Sequence, residues 1–204
     1  MVRIVRNLRA VFTSAVLFAA PVDAVEFAPV YGHHYGGSFE DASNGDRFQV
    51  GDSPAYGILL DIDDAPGKQL ELFLSHQHTH LSTTVGLFAS GPRFDLTISY
   101  YHIGGLYMLP GYQLVHPFVS GTVGVTSMDP QDANLVAEHH LSFSVGGGVK
   151  YFVSRNTGFR LDLRGIYTML ESESAIFCAG SCTVNVRGSG FVQTSISAAV
   201  MQRF

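Results

Sequence analysis

The feature that most constrains this chain is an alternation of apolar and polar residues with a period of two, repeated along most of its length. A two-residue period places successive side chains on opposite faces of an extended strand. Eight segments carry it: Glu26 to Gly36, Pro54 to Asp63, Lys68 to His80, Phe94 to Leu109, Val115 to Ser127, Leu141 to Ser154, Gly158 to Leu170 and Phe191 to Phe204. The seventh is the plainest. Phe159, Leu161, Leu163 and Tyr167 share one face, and Arg160, Asp162, Arg164 and Thr168 share the other.

The connections between these segments alternate in length. Asp64 to Gly67, Pro110 to Leu114 and Arg155 to Thr157 are short. Gly37 to Ser53, Leu81 to Arg93, Met128 to His140 and Glu171 to Gly190 are long. Charged residues make up only 14% of the 204 residues, against roughly 25% in soluble domains. No internal run approaches the roughly 20 apolar residues of a membrane helix. A chain with too little charge for water and no such helix points to the other structure a bilayer permits, the closed barrel. Short turns on one side and long loops on the other are the habit of bacterial outer-membrane barrels. The fold class expected is all-β: an eight-stranded antiparallel transmembrane barrel with both chain ends on the periplasmic side. A soluble sandwich or lipocalin-like barrel also gives alternating strands, but it would have no reason to set Arg160, Asp162 and Arg164 opposite a leucine face.

Residues 1–24 read as a signal peptide, leaving 25–204 as the barrel domain. Arg3, Arg6 and Arg9 give a positive start, Ala10 to Ala20 an apolar core too short to span, and Val22-Asp23-Ala24 a cleavage site. After export, Cys178 and Cys182 are expected to form a disulfide within the last long loop. Their three-residue gap does not fit the two-residue spacing of redox motifs. A formal charge of −5 gives no support for nucleic-acid binding.

The chain ends at Phe204, in phase with Val200, Ala198 and Ile196. This resembles the terminal signature that the barrel-assembly machinery reads in outer-membrane proteins, although Gln202 departs from it. Two further stretches carry a wider resemblance: Pro117 to Val125, and Ser144 to Arg164 with its Gly-rich strand, Asn-containing turn and Arg-rich strand. In pattern the mature chain resembles the small outer-membrane barrels of the OmpA transmembrane domain and OmpX type. The resemblance implies fold and location, and it brings no catalytic residues.

An eight-stranded barrel is narrow enough for side chains to fill it. The inward set expected here is Asp61, Glu71, Asp95, Lys150, Arg160, Asp162, Arg164 and Arg203, paired as a plug because unpaired buried charge is costly. Nine histidines are present. His76, His78 and His80 project from one side of their strand, in phase with its leucines. They are read as a polar collar above the lipid or, with help from a neighbouring strand, as a metal site; neighbours spaced about 7 Å apart allow at most two to share an ion alone. His33, His34, His139 and His140 lie near strand ends that also approach the outside.

Three functions follow. The first is a non-enzymatic structural or surface-interaction barrel without a cofactor, most simply a monomer. Its partners would be outer-membrane lipid, lipopolysaccharide, the assembly machinery and a ligand at the loops. The second is a lipid-modifying hydrolase of the lipid A deacylase type, using Ser142 with His140 and Glu138. It lacks a Gly-x-Ser-x-Gly elbow. The third is a narrow conduit for small solutes.

Overall fold

The computed structural model describes residues 24–41, 47–83, 93–111, 113–131, 136–170, 186–187 and 190–204. Eleven strands form one sheet: β1 (Val25–Tyr35), β2 (Ser38–Asp41), β3 (Arg47–Val50), β4 (Ser53–Ala65), β5 (Lys68–Thr83), β6 (Arg93–Met108), β7 (Val115–Pro130), β8 (Glu138–Phe152), β9 (Thr157–Met169), β10 (Val186–Arg187) and β11 (Gly190–Arg203). Eight of them close a barrel in the order β1, β4, β5, β6, β7, β8, β9, β11, and β11 pairs back to β1. Every pairing in it is antiparallel. These are the eight segments of the alternation. Their ends differ from the sequence reading by a few residues.

The short turns, the start of β1 and the end of β11 lie at one rim, which we call the periplasmic rim. The tightest turn needs Gly67 at φ 75°, a left-handed conformation that a β-carbon disfavours. At the other rim the first long loop is not irregular. Strands β2 and β3 form a hairpin, β3 pairs with the end of β5, and β10 adds to β2. The wall is therefore taller on that side.

The outward face shows how the barrel is solvated. Ile58, Ile103, Val123, Val145, Leu161 and Ile196 are exposed around its waist. Exposed Phe27, Tyr107, Tyr151, Phe159 and Phe204 stand toward the periplasmic rim, and Tyr31, Tyr56, Tyr101 and Phe143 stand higher. Among the described residues of the eight barrel strands, exposed outward charges occur only near the rims, at Asp64, Lys68, Asp95 and Asp129, and the β2–β3 hairpin above them carries the exposed pair Arg47 and Glu40. An apolar band between aromatic girdles is the surface a transmembrane barrel presents to lipid. In water it would be a liability many times the size of an ordinary surface patch.

Candidate functional site: a filled lumen and a histidine rim

The inward residues sort into layers. In the periplasmic half, four carboxylates (Glu26, Asp61, Glu71, Asp162) meet four cations (Lys150, Arg160, Arg164, Arg203). The guanidinium of Arg160 donates to Asp61 (2.9 Å), Glu71 (2.5 Å) and Asp162 (2.6 Å). Arg164 donates to the other oxygen of Glu71 at 2.8 Å. The ammonium of Lys150 donates to Glu26 (2.5 Å), Asp61 (2.7 Å) and the amide oxygen of Gln69 (2.7 Å). Arg203 closes the rim on Glu26 at 2.6 Å.

Aromatic rings complete the packing. Arg160 lies 4.4 Å from the centre of the Phe118 ring, and Arg164 lies 4.4 Å from that of Phe73. Gly148 allows this: a β-carbon there would fall 2.0 Å from the Leu161 carbonyl oxygen and 2.8 Å from the Phe118 ring. Asp63 lies 4.0 Å from Arg203 at the rim, making five carboxylates to four cations, and each ion has a partner for the solvation it has lost.

Neutral polar groups fill the middle. The His102 ring pairs with Thr122 (3.0 Å) and Ser142 (2.8 Å), and Thr122 continues to Ser144 at 2.7 Å. Arg164 donates to Ser144 at 3.2 Å, which joins this layer to the ions below. Above it, Tyr100 donates to Gln193, whose oxygen also accepts from Gln77 at 3.0 Å. Ser53 bonds Gln77, and Thr126 bonds Thr168 at 3.0 Å, so the extracellular half keeps some polar groups and turns apolar toward its outer end. Phe39, Phe48, Val50, Leu81, Leu96, Ile98, Met128, Leu170 and Phe191 belong to one buried cluster. Phe39 and Phe48 of the β2–β3 hairpin stack at 5.3 Å.

The expected inward residues Asp61, Glu71, Lys150, Arg160, Asp162, Arg164 and Arg203 thus come together. Asp95 does not. It is exposed on the outer wall opposite His80, while Leu96, Ile98 and Tyr100 point inward and are at most 1% exposed. The inward parity assigned to Asp95 is corrected accordingly. Near the top of β6 both environments are reversed, with the interior apolar and the exterior polar. Glu26 belongs to the network and was missed; the signal available was that it is the single charged residue of its strand.

The hydrolase constellation does not assemble as expected. The Ser142 hydroxyl pairs with His102, and His140 pairs with Glu138 at 3.0 Å. His102 turns its other nitrogen to a threonine, so no carboxylate orients it, and Ser142 is fully buried. Cys178 and Cys182, and residues 1–23 of the targeting segment, lie outside the described residues.

At the extracellular end of the outer wall, His76 stands beside Ser99, His78 beside Thr97 and His80 beside Asp95 across the β5–β6 ladder. The Nδ1 atoms of His76 and His78 meet the Ser99 and Thr97 hydroxyls at 2.8 and 3.0 Å. Among the described residues, no three histidine, cysteine or acidic side chains form a metal cage.

No protein-family model matches the chain, and no curated protein sequence matches it. Solved structures do. Neisserial surface protein A superposes with a TM-score of 0.61 at 12% identity, covering 89% of this chain and 97% of that one. The outer-membrane protein OprG from Pseudomonas aeruginosa gives 0.57 at 10% identity, covering 90% and 96%. The outer-membrane protein AlkL, determined in lipid bilayers, gives 0.57 at 12% identity, covering 98% and 97%. With its apolar outer band and its closed ladder of strands, the chain has the fold of the small eight-stranded outer-membrane β-barrels.

Proposed function

We propose that this protein is an integral outer-membrane barrel of structural or surface-interaction type, non-enzymatic, with a lumen that serves stability rather than passage. The observation that carries the reading is the filling of the lumen by the described residues: an ion-paired layer, a hydrogen-bonded layer and an apolar cap. A conduit would need a continuous polar path. Here Phe39, Phe48 and Phe191 occupy the outer mouth, each no more than 5% exposed. A lipid hydrolase would need its nucleophile to reach lipid, and the buried Ser142 faces the interior.

The activity is then assigned to the rim and the long loops, where a rigid scaffold holds variable segments out for recognition. The loop from Glu171 to Gly190, tied by a Cys178–Cys182 disulfide, is the contact surface we favour. Outer-membrane lipid, lipopolysaccharide and an external ligand at the loops are its partners. Phe204, exposed at the periplasmic rim, is available to the assembly machinery during insertion. Export by a signal peptide ending at Ala24 agrees with β1 starting at Val25.

The test is mass spectrometry of lipid A and phospholipids from cells with and without the protein, alongside a Ser142→Ala variant. Identical lipid profiles in all three are expected. An acyl chain lost only when Ser142 is intact would replace this reading with the hydrolase.

A further inference from the structure

We infer that His76 and His78 form a two-imidazole site on the outer wall for a transition-metal dication of the Zn2+, Cu2+ or Ni2+ class. The two Nε2 atoms lie 3.4 Å apart. Metal–nitrogen bonds of about 2.0–2.1 Å spanning that gap enclose an angle of about 110°, the tetrahedral value. Strand geometry alone sets i and i+2 side chains about 7 Å apart. Both rings must therefore lean toward each other to bring their tips this close.

What holds them there is the neighbouring strand. Ser99 and Thr97 take the Nδ1 atoms, and Tyr56 packs on the His76 ring with centroids 5.2 Å apart. When both Nδ1–H groups donate to these hydroxyls, both Nε2 atoms present lone pairs to one gap. No hydrogen bond can join two lone pairs; a cation satisfies both. An imidazole whose far nitrogen is fixed by a second hydrogen bond is the usual arrangement of a metal-ligating histidine. In the absence of metal a hydroxyl can instead donate to one Nδ1, so that this ring keeps its proton on Nε2 and donates it in a hydrogen bond to its neighbour. The pair is thus satisfied when empty, and an ion entering the gap moves that proton from Nε2 to Nδ1 of the same ring, where the hydroxyl turns to accept it.

His80 is not part of the site. Its ring rests against Gly51, where an added β-carbon would fall within 2.3 Å. Two protein ligands leave the remaining positions to water. The site is accordingly expected to be open and exchangeable rather than a structural cage.

Refolded full-length protein in phosphatidylcholine vesicles, titrated with Cu2+ or Ni2+ alone by calorimetry, tests this. One ion per chain is expected. Either His76→Gln or His78→Gln should weaken binding by about 10-fold or more, and Ser99→Ala should weaken it measurably. His139→Gln, a rim histidine elsewhere, should leave it unchanged. Cu2+ bound to the wild type should show two equivalent imidazole nitrogens by pulsed paramagnetic resonance. Folding of each variant is checked by the gel-mobility difference between folded and heat-unfolded barrel. Binding that survives both single variants, a one-nitrogen signature or no binding at millimolar metal would overturn the inference.

Discussion

At the level of Arg160 the lumen holds eight charged or chargeable side chains bound to one another; at the level of Phe48 and Leu81, above the Gln77–Gln193 pair, it is lined by hydrocarbon. Both halves exclude bulk water, yet they would fail in different ways. In the ionic half each group depends on its neighbours, because removing one partner leaves a charge without solvation. In the apolar half each group contributes by its own volume and contacts, and a missing ring leaves a cavity. The ionic half therefore resists small changes poorly but is highly specific about register. Slipping any strand by one residue would turn its charges into the lipid. The apolar half tolerates substitution of similar volume and serves as a lid.

The largest expected effect comes from the ionic half. Arg160→Ala leaves Asp61, Glu71 and Asp162 short of their shared cation and should cost about 3–5 kcal/mol. This is read as a lowered urea midpoint for the refolded barrel. A loss below 1 kcal/mol would mean that water reaches this layer freely, and the contrast between halves would collapse. Next is Phe48→Ala, which empties the centre of the apolar lid and should cost about 3 kcal/mol. Restoring volume with Phe48→Leu should recover most of that, whereas Arg160→Lys should recover little, since one ammonium nitrogen cannot occupy the separate positions from which Nε, Nη1 and Nη2 reach Asp162, Asp61 and Glu71.

Tyr100→Phe, at the boundary between the halves, should cost about 1 kcal/mol, because Gln193 keeps its bond from Gln77. The smallest effect is expected outside the lumen altogether. Asp95→Asn should shift stability by no more than about 0.5 kcal/mol, as an exposed substitution does. A loss comparable to that of Arg160→Ala would return Asp95 to the network from which its exposure removes it.

The same contrast explains what was legible in the sequence. Arg160, Asp162 and Arg164 stand out because the wall beside them faces lipid, so polar-in and apolar-out alternate strictly from Phe159 to Arg164. Higher on β6 the rule inverts. Leu96 and Ile98 face an apolar interior, and Thr97 and Ser99 face histidines above the lipid. Period two survives there, but nothing in it says which phase is inward. Pairing with β5 decides it. Glu26 was hidden because Gly32 and two histidines interrupt the first strand, leaving its parity to be set by β4 and β11. Phe39 and Phe48 sit in four-residue strands, too short for any period to be read. The narrow gap between the His76 and His78 rings is likewise a product of tertiary packing. Sequence fixes only their shared side.

The central claim is that ionic layer and apolar lid together close the lumen. Single-channel recording of the refolded protein in planar bilayers tests it most directly. The account predicts no stable conductance steps for the wild type, and brief openings at most for a Phe39→Ala/Phe48→Ala variant in which the lid is lost but the ions remain. A steady, reproducible conductance through the wild-type barrel would contradict it.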